Sequence, residues 1–87
     1  MPDPGSQLDS ATARVKVVDP LATIGPSTPA RILSSSDAAL SLEMHREVLP
    51  GSMVHVRTRD RIVLGRVHRC VPSGTEFEIA VQIVETF

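Results

Sequence analysis

The part of the chain from Leu40 to Val84 alternates apolar and polar residues with a period of two. The apolar members of this pattern are Leu40, Leu42, Met44, Val54, Val56, Phe77, Ile79, Val81 and Ile83. A period of two places these side chains on one face of a β-strand, because successive side chains of a strand point in opposite directions. Several such runs, separated by turn residues, predict an antiparallel sheet with one solvated face. In a chain of 87 residues we expect that sheet to curl around a single core.

Composition excludes several classes of protein. Apolar residues make up 41% of the chain and charged residues 22%, as in an ordinary globular domain. The formal net charge of −1 argues against general binding to polyanions. No apolar run approaches the roughly 18 residues of a membrane span, and the N-terminus does not resemble a secretory signal. Cys70 is the only cysteine, which excludes an internal disulfide and fits a reducing compartment. We therefore expect a cytoplasmic protein without membrane association.

The chain divides into a leader and one barrel domain. Residues 1–13 are rich in Pro, Gly, Ser and Asp and predict a flexible leader, so the domain is expected over 14–87. The predicted strands are 14–18, 30–33, 38–44, 53–58, 62–70 and 77–84. They predict an all-β fold, a small six-stranded antiparallel β-barrel. A helix over 37–48 is the alternative, because Ala38, Ala39, Leu40 and Glu43 are fair helix formers.

The turns set the register of the last three strands. A two-residue turn at Arg59 and Asp60 places Val56 opposite Val63. A three-residue loop over 72–74 would place Val67 beside Ile79 and His68 opposite Glu78. The predicted inner face comprises Val54, Val56, Val63, Gly65, Val67, Phe77, Ile79, Val81 and Ile83. The predicted outer face comprises His55, Arg57, Leu64, Arg66, His68, Glu76 and Glu78.

Basic residues are concentrated in the hairpin 55–69. The arginines are Arg57, Arg59, Arg61, Arg66 and Arg69. Together with two histidines they predict a surface basic patch comprising His55, Arg57, Arg66 and His68. Such a patch could bind an anion or a nucleic acid. The alternative is a solvated face whose arginines pair with Asp60, Glu76 and Glu78. Nucleic-acid binding is disfavoured, because no strand presents an aromatic side chain on which a base could stack.

No arrangement of residues predicts an enzyme or a metal site. His68 and Cys70 would share the outer face, but His55 would lie roughly 13 Å from His68 along the ladder, too far for a shared zinc ion. Cys70 lacks a partner base and an oxyanion hole, so a small packing residue is the better interpretation. We expect no catalytic residues, no metal and no cofactor.

Four segments in a fixed order resemble one bacterial family. They are ARILSSSDAALSLEM at 30–44, LPGS at 49–52, VLGRVHRC at 63–70 and EFEIAVQIV at 76–84. In order and spacing, residues 14–84 resemble a PilZ domain. The resemblance implies a six-stranded β-barrel whose typical members bind cyclic di-GMP.

The resemblance also implies a ligand site. The family binds the dinucleotide through an Arg-x-x-x-Arg element before the first strand and an Asp/Asn-x-Ser-x-x-Gly element between the second and third strands. The matching positions of this chain are Ser10 and Arg14, then Ser34, Ser36 and Ala39. Only Arg14 and Ser36 keep the family's residue, and Arg31 is a further candidate for binding the phosphates.

These departures define three hypotheses. The first is a non-catalytic regulatory module with weak or lost cyclic di-GMP binding that acts through a protein partner. The second is a functional cyclic di-GMP receptor. The third is a small barrel that binds nucleic acid through the arginine-rich hairpin 55–69.

Overall fold

The computed structural model describes residues 12–18 and 27–87, which form a closed six-stranded antiparallel barrel. Its strands are β1 (Thr12–Val18), β2 (Thr28–Ser35), β3 (Ala39–Met44), β4 (Met53–Thr58), β5 (Ile62–Ser73) and β6 (Glu76–Thr86). Around the barrel their order is β1-β2-β3-β6-β5-β4, and β4 pairs with β1 to close it. The predicted fold class is confirmed. The helical alternative over 37–48 is wrong, because this segment contains β3.

Several strands are longer than predicted. β1 begins at Thr12, so Thr12 and the buried Ala13 belong to the barrel and not to the leader. The rest of the predicted leader, residues 1–11, lies outside the described residues. β2 begins before Pro29, which lies in the strand with its side chain exposed. β5 continues to Ser73, and β6 begins at Glu76. The two strands therefore form a longer hairpin than the apolar pattern alone indicates.

The core consists almost entirely of aliphatic side chains. Its buried members are Ala13, Val15, Ala30, Leu40, Leu42, Met44, Val48, Val54, Val56, Val63, Val67, Ile79 and Val81. Phe77 and Ile83 are partly buried and pack against them. Every residue of the predicted inner face therefore faces the core. Each fully buried Val, Leu or Ile contributes about 1.5–3 kcal/mol, so the interior is the main source of stability.

The β4–β5 hairpin has the predicted register. Val56 faces Val63 and Val54 faces Gly65. Its turn contains neither glycine nor any residue with positive φ. The Thr58 hydroxyl instead accepts hydrogen bonds from the amides of Asp60 (3.3 Å) and Arg61 (3.1 Å). A local side-chain bond of this kind stabilises a turn that lacks the usual left-handed residues.

The β5–β6 hairpin differs from its predicted register. Gly74, at φ 65°, and Thr75 form the turn, because Ser73 pairs with Glu76. Val67 therefore faces Val81, and Val71 faces Glu78 in the place predicted for His68. A bulge between Val67 and Arg69 supplies the extra residue. A bulge lets a strand change register without burying polar side chains. The prediction of a three-residue loop over 72–74 assumed a regular ladder and therefore gave the wrong register.

The same bulge changes the position of Cys70. Before the bulge, Val63, Gly65 and Val67 face inward. After the bulge, the positions that face inward are shifted by one residue along β5. Cys70 therefore pairs with Ile79 and packs against the core, whereas His68 is exposed. The predicted sharing of one outer face by His68 and Cys70 is wrong.

Gly65 allows β5 and β6 to approach closely. A Cβ at this position would lie 2.4 Å from Val81 Cγ1 and 2.9 Å from the Gln82 carbonyl oxygen. The second contact involves backbone and cannot be relieved by a rotamer change. The strand therefore requires glycine here for space.

We expect Gly65→Ala to lower the free energy of unfolding by about 1–3 kcal/mol, since the added methyl group overpacks the core. Urea denaturation measures the loss. Adding Val81→Ala should give a double variant that loses less than the sum of the two single losses, because one of the two clashes is removed. Gly51→Ala, where a Cβ has open space but φ is 92°, is the control that tests backbone strain alone. A Gly65→Ala protein as stable as the native chain would contradict the close approach.

We expect Val63→Asp to unfold the domain, because it buries an unpaired carboxylate among aliphatic side chains. Such changes cost more than about 4 kcal/mol, a large part of the stability of a small domain. Arg66→Ala should cost less than about 1.5 kcal/mol, since this exposed side chain donates a single bond to the described residues, to the Gly51 carbonyl at 3.2 Å. Thermal melting followed by circular dichroism compares them. Similar losses in the two variants would show that the register of β5 is wrong.

Candidate functional site

The residues predicted to bind cyclic di-GMP lie on separate parts of the barrel. Arg14 is on β1, where it faces Pro29 of β2 and Arg57 of β4. Ser34 lies five positions beyond Pro29 on β2. At about 3.3 Å per residue, this places Arg14 and Ser34 roughly 17 Å apart along the sheet. The structure therefore does not bring Arg14 next to the second motif, and Ser10 lies outside the described residues.

Arg31 is already engaged by a carboxylate. It faces Glu43 across the β2–β3 pair, and its Nη2 atom lies 2.5 Å from Glu43 Oε1. The side chain of Arg31 is 64% exposed and that of Glu43 is 20% exposed. An exposed pair of this kind is worth only about 0–1 kcal/mol, but it cancels the positive charge that a phosphate would need.

Ser36 forms the turn between β2 and β3. Its hydroxyl accepts hydrogen bonds from the amides of Ala38 (3.3 Å) and Ala39 (3.1 Å). Arg61 stabilises the same turn, because its Nη2 donates hydrogen bonds to Ser35 Oγ at 3.0 Å and to the Ser36 carbonyl at 2.7 Å. The predicted ligand serine therefore has a local structural role that accounts for its position.

Two members of the predicted basic patch form a groove with two residues of β1. His55 faces Lys16 and Arg57 faces Arg14 across the β1–β4 pair. Ser27 completes a groove with a volume of about 240 Å³, which we call the basic groove: Arg14, Lys16, Ser27, His55 and Arg57. None of the described residues that line it is acidic.

The other two members of the predicted patch lie elsewhere. Arg66 faces Met53 on the β4–β5 pair and binds the Gly51 carbonyl. His68 lines a separate groove with Ala39, Ala80, Val81 and Gln82, with a volume of about 300 Å³. The predicted patch is therefore divided between two surfaces.

The alternative pairing of the hairpin arginines with Asp60, Glu76 and Glu78 is absent from the part of the chain that the structure describes. Within residues 12–18 and 27–87, the ion pair is Arg31 with Glu43, and no arginine of the hairpin pairs with Asp60, Glu76 or Glu78. Arg61 and Arg66 instead donate to a serine hydroxyl or to backbone carbonyls. These bonds orient the guanidinium groups without neutralising them.

The basic groove places like charges directly opposite each other. Such cross-strand pairs destabilise a sheet by roughly 0.2–1 kcal/mol. Arg14 is held by Ser27, whose Oγ accepts from Nε at 3.1 Å and from Nη2 at 2.9 Å. A hydroxyl directs the guanidinium but carries no charge to balance it. The groove is therefore a concave cluster of positive charge that no carboxylate among the described residues balances.

Lys16 and Ser27 are not among the site residues that the sequence predicts. The alternation Arg14-Val15-Lys16-Val17 was a signal that two cations share one face of β1. It did not indicate which strand would lie beside that face, because β4 is about 40 residues away in the chain. Only the closure of the barrel places the two basic pairs together.

The described residues contain no arrangement that suggests metal or thiol chemistry. Within 12–18 and 27–87, no three His, Cys, Asp or Glu side chains come together as a metal site. Cys70 is a free, half-buried thiol against the core. No helix in these ranges is long and apolar enough to cross a membrane.

Comparisons with protein-family models, with curated proteins and with solved structures found no match to this chain. The functional interpretation therefore depends on the sequence pattern and on the geometry of the barrel.

We expect Arg57→Gln to raise the free energy of unfolding at low salt by up to about 0.5–1 kcal/mol, because it removes the charge opposite Arg14. The gain should disappear when salt rises from about 0.01 M to about 1 M, since the Debye length falls from about 30 Å to about 3 Å. Urea denaturation at the two salt concentrations measures this.

Arg46→Gln is the matched control, because Arg46 is exposed in the connection between β3 and β4 and lies outside the groove. At low salt it should change stability by less than Arg57→Gln does, and its effect should depend less on the salt concentration. A loss of stability on Arg57→Gln at low salt would show that Arg57 is stabilised by its surroundings and not repelled.

Proposed function

We propose that this chain is a non-catalytic bacterial regulatory module of the PilZ type that has weak or no affinity for cyclic di-GMP and acts through a protein partner. The proposal is carried by the bonds that residues at the candidate ligand positions already make within the barrel. Arg31 is paired with Glu43, and the Ser36 hydroxyl is used by its own turn. Two of the candidate ligand residues, Arg31 and Ser36, are thus already engaged within the barrel.

The architecture supports a binding module. The inner face is occupied by aliphatic side chains, so recognition falls to the outer surface. The closed six-stranded barrel agrees with the fold that the family resemblance implies. A rigid barrel with a varied outer surface is a common scaffold for binding sites, and the function has to be argued from the site and not from the fold.

The chemistry of the motif positions supports weak dinucleotide binding. The hydroxyl of Ser34 has less reach than a carboxylate or carboxamide, and the Cβ of Ala39 crowds the space that glycine leaves for a ligand. A hydrogen bond to a charged group is worth about 1.5–3 kcal/mol. Losing two of them lowers affinity by about two to four powers of ten.

The outer surface of the barrel is compatible with a protein partner. Large apolar side chains remain exposed on several elements of the barrel: Val18, Leu33, Leu49, Val71, Val84 and Phe87. Apolar area of this kind becomes stabilising when a protein contact removes it from water. The guanidinium groups of Arg61 and Arg66 are bonded to the chain itself, which does not favour a continuous track for a nucleic-acid strand.

The test is calorimetry with cyclic di-GMP on the native chain and on a variant carrying Ser10→Arg, Ser34→Asp and Ala39→Gly. We expect little or no binding by the native chain. We expect a gain of at least ~100-fold in the triple variant, equivalent to about 2.7 kcal/mol. The gain should follow from restored charge, acceptor reach and backbone access.

Two results would contradict the proposal or part of it. Tight binding by the native chain would identify a functional receptor. Salt-dependent binding of single-stranded DNA or RNA, with none of cyclic di-GMP, would favour the nucleic-acid hypothesis. The double variant Ser34→Asp with Ala39→Gly is the matched control, because it lacks the second guanidinium and should show only part of the gain.

A further inference from the structure

We propose that the basic groove between β1 and β4 binds a compact pyrophosphate group, either as free pyrophosphate or as the terminal phosphates of a nucleoside diphosphate. This site shares Arg14 with the cyclic di-GMP motif, but its other residues lie outside that motif, and it does not depend on the proposed PilZ function. It comprises Arg14, Lys16, Ser27, His55 and Arg57.

The register concentrates positive charge in a small area. Arg14 and Lys16 are two positions apart on β1, as are His55 and Arg57 on β4, which is roughly 7 Å along each strand. Across the strands, each pair is separated by about 5 Å between Cα atoms. Three permanent cations and one histidine therefore surround a volume of about 240 Å³.

Two cations of the groove lack the kind of partner that three arginines elsewhere on the barrel have among the described residues. Arg31 binds a carboxylate, Arg61 binds the β2–β3 turn and Arg66 binds a backbone carbonyl. Lys16 and Arg57 make no such bond to any residue within 12–18 and 27–87. Arg14 is directed by the Ser27 hydroxyl, which can also donate a hydrogen bond to a ligand. The described lining of the groove thus offers several donors and no carboxylate.

The shape of the groove favours a compact anion over a polymer. Toward the C-terminal end of β1, the next pair on the same outer face is Val18 with Met53, so the basic stretch ends there. A nucleic-acid strand needs a longer basic track and stacking surfaces, and no aromatic residue lines this groove. A peptide cannot add as a strand here, because β1 and β4 pair with each other along the groove.

Pyrophosphate matches this arrangement chemically. It carries several charges on two neighbouring phosphates, and arginine binds phosphate oxygens through paired N–H groups. A bound polyanion would also offset the repulsion between Arg14 and Arg57. A single phosphate has half the charge centres and fewer oxygens with which to contact the two basic pairs.

The experiment is calorimetry of the full chain at low salt with three probes: inorganic phosphate, pyrophosphate and ADP. We expect pyrophosphate to bind at least ~10-fold more tightly than inorganic phosphate, a difference of about 1.4 kcal/mol. If ADP binds as tightly as pyrophosphate, the ligand is the diphosphate of a nucleotide. If ADP binds much more weakly, the ligand is free pyrophosphate.

The variant Lys16→Gln with Arg57→Gln should lose at least ~10-fold in pyrophosphate affinity. Its circular dichroism spectrum and melting temperature should show a folded barrel, because both side chains lie on the outer face. Arg46→Gln removes the same charge outside the groove and should bind pyrophosphate as the native chain does.

Three results would overturn the proposal. The first is no binding of pyrophosphate by the native chain at millimolar concentration. The second is an equal loss of affinity in Arg46→Gln and in the double variant, which would indicate a general charge effect. The third is tighter binding of an acidic peptide or of single-stranded DNA than of pyrophosphate through Lys16 and Arg57, which would assign the groove to a macromolecule.

Discussion

The pairing of β1 with β4 is the constraint on which the rest of the structure depends. It joins six residue pairs, from Ala13 with Thr58 to Val18 with Met53, and it closes the barrel. Val15 faces Val56 in this ladder, and both are buried. Because side chains alternate between faces, burying this pair leaves Arg14 beside Arg57 and Lys16 beside His55 on the outside. The core and the basic groove are therefore two consequences of one register.

The apolar alternation predicted the fold and the inner face because burial is decided residue by residue. Val54, Val56 and Val63 could be assigned from local spacing and one short turn, and the structure places them in the core. The bulge next to His68 could not be predicted in this way. Its cost is local, and several registers keep the same valines inside, so the pattern does not distinguish them.

The site was only partly predictable for a different reason. His55 and Arg57 were identified from the charge of their own hairpin. Lys16 became a site residue through a strand pairing over long sequence separation, and no nearby turn sets that register. The family resemblance identified Ser36 as a ligand residue, whereas its hydrogen bonds show that it organises the turn between β2 and β3. Residue identity at a motif position does not show what the side chain is bonded to.

One titration can test whether an anion binds at the basic groove and not at the turn between β2 and β3. Amide chemical shifts of isotopically labelled native protein can be followed by nuclear magnetic resonance as pyrophosphate is added. The account predicts that the largest changes occur at Arg14, Lys16, His55 and Arg57, with little change at Ser34, Ser36 and Ala39. Changes concentrated at the turn between β2 and β3, or none at β1 and β4, would contradict it.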